Sequence, residues 1–416
     1  MEGRVVQGPN RGIGGIGTVM WGKARAVAAR AAAVIAIAVI GPLEARAQDA
    51  APPAWTLAAT YKADVAGVAD GGMDRGLRWL DDIYVTGSVD LDAAVGWKRA
   101  RAHASILNNL GGKPDALAGS IQGINNIEVA DRRLKLYEAW LQQGIGTDAT
   151  LRAGLYDVNS EFYQNEAAGL LISPMFGVGS ELAATGVNGP AIFPSTALAL
   201  RFRVTTAHAY GAFAVVNAHA GTLGDDGGVD LTGRDGALLI AEAGWTGSGR
   251  VAIGAWRYTR RQPAVLSPDI TIGPDTHVSR GVYLLGEHDL IGTADGPHHL
   301  IGFLRLGLSE GRTTPFRGGW QGGLLLLRPV ASRRASALSI GAGSGVLSQS
   351  YRQGQTDGPM PLGRAETIYE VTYSDELRHG VSLQPDVQYV AHPSGDRTIP
   401  DALVVGIRLT IAWVSG

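Results

Sequence analysis

The sequence predicts an all-β protein: a transmembrane antiparallel β-barrel of about 16 strands, with one long connection folded into its lumen. Three observations carry this. Hydrophobic residues recur with period two through most of the chain. Beyond residue 47 no apolar run reaches the roughly 18 residues of a spanning helix. The composition, 59 Gly and 18% charged residues in 416, suits many turns and close backbone contacts.

Residues 1–47 read as a signal peptide. Lys23, Arg25 and Arg30 form a basic n-region, and Ala31 to Ile40 an apolar h-region too short to span a bilayer. Ala45-Arg46-Ala47 is a cleavage site, which leaves 48–416 as the exported barrel. Met1 and Met20 are both candidate starts. Gly12, Gly14, Gly15 and Gly17 have no strand before them, so they do not make a dinucleotide loop. Without the leader's six Lys/Arg and two Asp/Glu, 30 basic and 36 acidic residues remain, about −6 net. That balance offers no basic face to nucleic acid. The absence of Cys excludes disulfides and thiolate metal sites.

The strands follow from alternation. Leu151, Ala153 and Leu155 alternate with Arg152, Gly154 and Tyr156. Leu198, Leu200, Phe202 and Val204 alternate with Ala199, Arg201, Arg203 and Thr205. Leu304, Leu306 and Leu308 alternate with Arg305 and Gly307. Val381 to Val390 repeats the pattern, with Pro385 predicting a bulge or local loss of pairing. In the last strand Leu403, Val405, Ile407, Leu409, Ile411 and Trp413 oppose Val404, Gly406, Arg408, Thr410 and Ala412. Turn signals stand between: Asn109-Leu110-Gly111-Gly112, Gly224 to Gly228, Gly311-Arg312 and Pro393 to Asp396. A soluble sandwich also alternates. Strand length, a small and charged second face, and Tyr373, Tyr389 and Trp413 at strand ends favour a barrel in a membrane. At about 20–25 residues per strand and connection, the exported part holds about 16 strands.

Between Gly154 and Arg203 lies a long segment rich in Gly, Pro and Asn. Its Leu170-Leu171-Ile172-Ser173-Pro174-Met175-Phe176 is too apolar for an exposed loop. In a barrel it can fold inward and narrow the pore, bringing Asp157, Asn159, Glu161 and Asn188 near the narrowest point.

The chain resembles the carbohydrate-selective porins of the OprB family in many ordered pieces. These are Trp79-Leu80-Asp81, Asp90-Leu91-Asp92, Gly96-Trp97, Gln122 with Asn125-Asn126-Ile127-Glu128, and Leu136-Tyr137-Glu138-Ala139-Trp140-Leu141. Gly154 to Phe162, Gly186 to Pro190, Ile192-Phe193-Pro194, Glu366-Thr367 with Glu370 and Tyr373, and Leu383 to Tyr389 complete the set. The resemblance implies a sixteen-stranded outer-membrane barrel with a sugar-permeable channel. Its partners would be sugars, outer-membrane lipid and the barrel assembly machinery, with a homotrimer left open and no nucleic acid. The chain departs in two places. Family members end on an aromatic residue, whereas Trp413 is followed by Val414-Ser415-Gly416. The stretch from about Ala207 to Gly319 matches only loosely, as loops would.

A sugar channel needs aromatic faces and planar polar groups that exchange hydrogen bonds with hydroxyls. Arg152 and Tyr156 on the polar face, then Asp157, Asn159 and Glu161, are the first candidates; Asp157 and Asn159 also fit a turn cap. Arg201 and Arg203 follow on the next strand, and Glu138 and Trp140 add a carboxylate and a ring that also suits an interfacial anchor. Arg305, Arg408, Glu370 and Asp386 are expected as wall residues. No histidine set has metal-site spacing, and no nucleophile elbow or phosphate loop is present, so neither a cofactor nor an enzymatic activity is expected. Passive diffusion of mono- and oligosaccharides is the leading reading. A general, weakly charge-selective porin, with arginines on one wall and acids on the other, is the alternative.

Overall fold

The computed structural model describes residues 53–265, 275–294, 296–330, 332–333, 335–354 and 362–415. The expected signal segment lies outside them. The described residues form β1 (Trp55–Asp70), β2 (Gly76–Asp90), β3 (Ala100–Gly111), β4 (Leu134–Ile145), β5 (Ala149–Tyr156) and β6 (Ala197–Thr205). Then come β7 (Ala209–Asn217), β8 (Ala237–Thr246), β9 (Gly249–Pro263), β10 (Thr276–Gly292) and β11 (His299–Ser309). The last are β12 (Phe316–Leu327), β13 (Ala337–Leu347), β14 (Ala365–Arg378), β15 (Val381–Ala391) and β16 (Ala402–Ser415). Each pairs antiparallel with its neighbours in sequence, and β16 returns to β1 to close the barrel. Closure pairs every strand edge, which is what lets strands sit in hydrocarbon. Among the described residues no helix is long and apolar enough to cross a membrane.

The predicted alternation sorts residues between lipid and lumen. On β11, Leu304, Leu306 and Leu308 are exposed outward while Arg305 between them is fully buried. Leu306→Arg is therefore expected to cost about 2–4 kcal/mol near the midplane. Unfolding in lipid vesicles measures it, and a loss near zero would mean that Leu306 does not meet lipid.

Two expectations change. The stretch from Ala207 to Gly319 is mostly strand, β7 to β11 and the start of β12. Leu304 to Leu308 alternate plainly within it, while inner positions such as Ala212, Ala214, Gly244 and Gly254 are small. Asn109 and Gly111 belong to β3, and the chain turns only at Gly112, because Asn109 is paired opposite Asp82. Pro385 keeps register with Ile407 of β16, and pairing lapses only toward β14, between Thr372 and Asp375. Beyond Trp413, Val414 and Ser415 continue β16 against Ala58 and Leu57.

The connections differ at the two ends. After β1, β3, β5, β7, β9, β11, β13 and β15 they include the long segments 112–133 and 157–196. At the other end all are short, such as 146–148 and 247–248. In outer-membrane barrels long loops face outside and short turns the periplasm.

Candidate functional site

The segment 157–196 folds into the lumen, as its apolar composition predicts. Three short 3-10 turns, Val158–Ser160, Glu166–Ala168 and Pro174–Phe176, bury Phe162, Tyr163, Leu171, Ile172, Met175 and Phe176. The wall opposite is shaped to receive them. A Cβ on Gly341 would lie 2.6 Å from Leu171 Cδ1, and one on Gly343 would lie 2.4 Å from Met175 Cε. The glycine-rich β13 is thus the seat of the loop.

Buried charges pin its backbone. Arg305 donates through Nη1 to the carbonyls of Gly177 (2.7 Å) and Tyr163 (3.2 Å), and through Nη2 to Phe176 (2.6 Å) and Met175 (3.4 Å). Glu370 accepts from the amides of Ile172 and Ser173, the latter at 2.9 Å. Gln384 donates to the Leu170 carbonyl at 2.7 Å, and Glu242 accepts from the Tyr163 amide at 2.9 Å. Arg305 and Glu370 are wall residues, as expected; what they hold is the loop.

A second segment, 112–133, also turns inward, which alternation could not reveal. Glu366 accepts from Ser120 Oγ (2.8 Å) and from the amides of Ile121 and Gln122 (both 3.0 Å). Arg408 grips Asp64 through two 2.8 Å bonds, and Asn125 and Asn126 dock on that pair at 2.7 and 2.8 Å. The segments meet where Ser173 Oγ donates to the Gly123 carbonyl (2.9 Å). Inside 112–133, Glu128 accepts from the Asp115 amide at 2.9 Å. Burial first, then the Asp115 carboxyl beside it, push Glu128 up to about 8. The folded chain so keeps a proton that the unfolded chain releases, and stability falls as pH climbs from the ordinary glutamate range toward 8. Raising pH from about 6 to about 9 is expected to speed hydrogen exchange at residues 115–128, corrected for intrinsic rates, and Glu128→Gln to remove the effect. Exchange independent of pH would count against a proton held on Glu128.

The two loops cover the inner faces of β11 to β16, where Arg305, Glu366, Glu370, Asp386, Gln388 and Arg408 are all buried. Half-buried polar side chains on β1 to β6 also face the lumen, among them Lys62, Tyr84, His103, Gln142, Arg152 and Arg203. The loop edge that carries Glu161 borders this wall.

Glu161 is the hub of that border. It pairs with Arg201 (Nε to Oε2, 2.6 Å; Nη2 to Oε1, 2.8 Å) and with Arg152 at 3.4 Å, and accepts from Tyr156 Oη at 2.9 Å. Both guanidinium groups also donate to Gln142 Oε1 at 2.9 Å. Arg152 lies 3.8 Å over the Trp140 ring, and His103 stacks on the same ring at 4.8 Å. A guanidinium and an imidazole cannot share one face, so both faces of Trp140 are taken.

Six of the sequence-predicted residues thus meet: Trp140, Arg152, Tyr156, Glu161 and Arg201 directly, and Glu138 through the Asp157 amide at 3.3 Å. Trp140 is in the lumen and offers no free face, so it is neither an interfacial anchor nor an open platform. Asp157 and Asn159 are structural: Asp157 caps the first 3-10 turn and accepts from Asn159 N (2.8 Å) and Tyr137 Oη (2.7 Å), while Asn159 donates to the carbonyls of Phe162 and Gly177. Burial pushes Asp157 up to about 6. Asn188 bonds to Ala220 and lines a cavity of about 510 Å³ with Glu128, Phe193 and Asp225. Arg203 stacks on Tyr210 at 4.3 Å, beside Arg250 and Glu242. Gln142 and His103 were missed, although Gln142 follows Glu138 and Trp140 at period two.

Comparison with known proteins gives three findings. The family profile of the carbohydrate-selective porin, OprB family, matches residues 74–413. The high-pH structure of Pseudomonas putida OprB is similar at 18% identity and a TM-score of 0.77, covering 86% of this chain and 94% of its own. The low-pH structure of that protein (16%, TM-score 0.55, 86% and 93%) and an anion-selective porin from Comamonas acidovorans (11%, TM-score 0.52, 86% and 99%) share the fold. No curated protein matches the chain.

Proposed function

Because the chain belongs to the OprB family of carbohydrate-selective porins, we propose that sugars cross its barrel by passive diffusion along the wall of Tyr84, His103, Gln142 and Arg152, facing Glu161, which the buried Arg201 holds. It is an outer-membrane porin, a channel rather than an enzyme. One observation supports this path above others. Donors and acceptors interleave there, Arg152 with Gln142 at 2.9 Å and Glu161 at 3.4 Å and Tyr84 with Glu138 at 3.5 Å, as sugar hydroxyls, which both give and take, require. A charge-selective pore would separate arginines from acids across the lumen. Here Arg152 and Arg201 share Glu161, so the charges are intermixed.

Residues 1–47 would leave as a signal peptide, and N-terminal sequencing of protein from outer membranes tests the site after Ala47. Insertion by the barrel assembly machinery and a homotrimer belong to the same proposal; chemical cross-linking in membranes tests the second. For permeation, liposomes containing the protein should swell in a small panel of mono- and oligosaccharides, and sugar should reduce ion current in planar bilayers. Swelling no faster than in empty liposomes would refute the reading. Current untouched by sugar would favour a general porin.

A further inference from the structure

We propose that the outward face of the barrel, at the long-loop end of β9 to β12, binds a phosphate-bearing lipid headgroup of the outer leaflet. On β9, Arg257 and Arg261 stand on the outward side with Val251 and Ile253; on β10, Arg280 stands outward with Val282 and Leu284. The register sets Arg257 directly opposite Arg280. Arg312, in the turn after β11, and Arg317, at the start of β12, extend the row past the lipid-facing Leu308. Arg257, Arg261, Arg280 and Arg312 share a cleft of about 580 Å³, and Arg312 and Arg317 share the next, of about 650 Å³.

Like charges directly opposite in a ladder repel; among the described residues two carboxylates stand near the row, Glu310, which lines both clefts, and Asp275, whose charge acts on Arg261 and Arg312. Among the described residues none of the five forms an ion pair. The two nearby acids are engaged: Glu310 accepts from Thr313 N at 2.7 Å, and Asp275 pairs with His277 at 2.9 Å. Elsewhere on this rim Arg75 pairs with Asp70 and Arg133 with Asp226. Arg261 also donates to Thr276 and Arg312 lies against His277, yet five guanidinium groups face two nearby carboxylates among the described residues; that excess of positive charge suits an anion, and guanidinium forks match phosphate oxygens. Height selects the source. Arg257 stands four residues past Ile253, about 13 Å along the strand, where the apolar band of a barrel gives way to headgroups. An anion anchored there could lay its acyl chains on Val282, Leu284 and Leu308. A solute in the lumen could not reach these side chains.

The test uses the full-length barrel in detergent, with retained lipid read by native mass spectrometry. Bis-phosphorylated lipid A is the probe, with its dephosphorylated form and inorganic phosphate as comparisons. Wild type is expected to retain bis-phosphorylated lipid A selectively. Arg257→Gln with Arg280→Gln and Arg312→Gln should weaken retention about tenfold or more. Arg257→Gln alone, which removes the like-charge pair and should fold readily, is expected to weaken it several-fold. Arg75→Gln with Arg397→Gln, removing charge elsewhere, should not. Sugar-driven swelling should be unchanged in all of these, so the proposal stands or falls apart from the permeation path. Equal retention in wild type and the single and triple variants would overturn it. So would equal binding of dephosphorylated lipid, full displacement by inorganic phosphate, or a loss of subunit association in place of lipid.

Discussion

Replacing Arg305 by Leu is expected to release the segment 157–196 from the wall and raise single-channel conductance well above that of the wild type. One guanidinium holds four loop carbonyls at 2.6 to 3.4 Å. Removing it leaves several buried acceptors unpaired at about 1–3 kcal/mol each. The loop can recover them only by moving toward water. The apolar contacts of Leu171, Met175 and Phe176 with β13 oppose that motion, but they do not satisfy carbonyls. Sugar discrimination should fall as conductance rises, while the strands, whose ladders are untouched, stay folded. Arg305→Lys keeps the charge without the fork and should lie between. Conductance unchanged in Arg305→Leu would show that Glu370 and Gln384 hold the loop unaided.

Glu161→Gln is expected to change selectivity most. It removes the carboxylate paired with both Arg201, which is 1% exposed, and Arg152. Breaking a buried pair from one side costs up to about 3–5 kcal/mol, and less here because Glu161 borders the passage. Two uncompensated guanidinium groups would then face the lumen. Ion current should shift toward anions, read as a changed reversal potential in a salt gradient, and sugar block of the current should weaken. An unchanged reversal potential would remove Glu161 and its arginines from the narrow part of the pore. By the same reasoning loss of Arg201 would leave Glu161 with Arg152 and Tyr156 alone.

Much of the fold and part of the site were legible in the chain. Leu304, Arg305 and Leu306 declare lipid, lumen, lipid by residue type alone, because a strand in a membrane has two solvents and period two assigns residues to them. Leu170 to Phe176 likewise declared that the loop goes inward, since so apolar a loop is costly in water. Within the site, Arg152, Tyr156 and Arg201 could be placed on the polar face from neighbours on their own strands.

The pairings were not legible. Glu366 meets residues 120–122, Arg408 meets Asp64, and Arg305 meets Gly177, all more than a hundred positions apart. Nothing in local pattern distinguishes a lumen charge that lines a passage from one that clamps a loop. The same ambiguity gave Asp157 and Asn159 a choice between sugar contact and turn cap, and Trp140 a choice between interface and lumen. By itself, then, the sequence determined the barrel, its two faces and its inward loop, because those follow from how each short stretch partitions between lipid and water. Only the tertiary structure decided which charges are buried as anchors and which remain at the passage. That depends on where two loops come to rest against strands brought near by closure of the barrel, and no local periodicity encodes it.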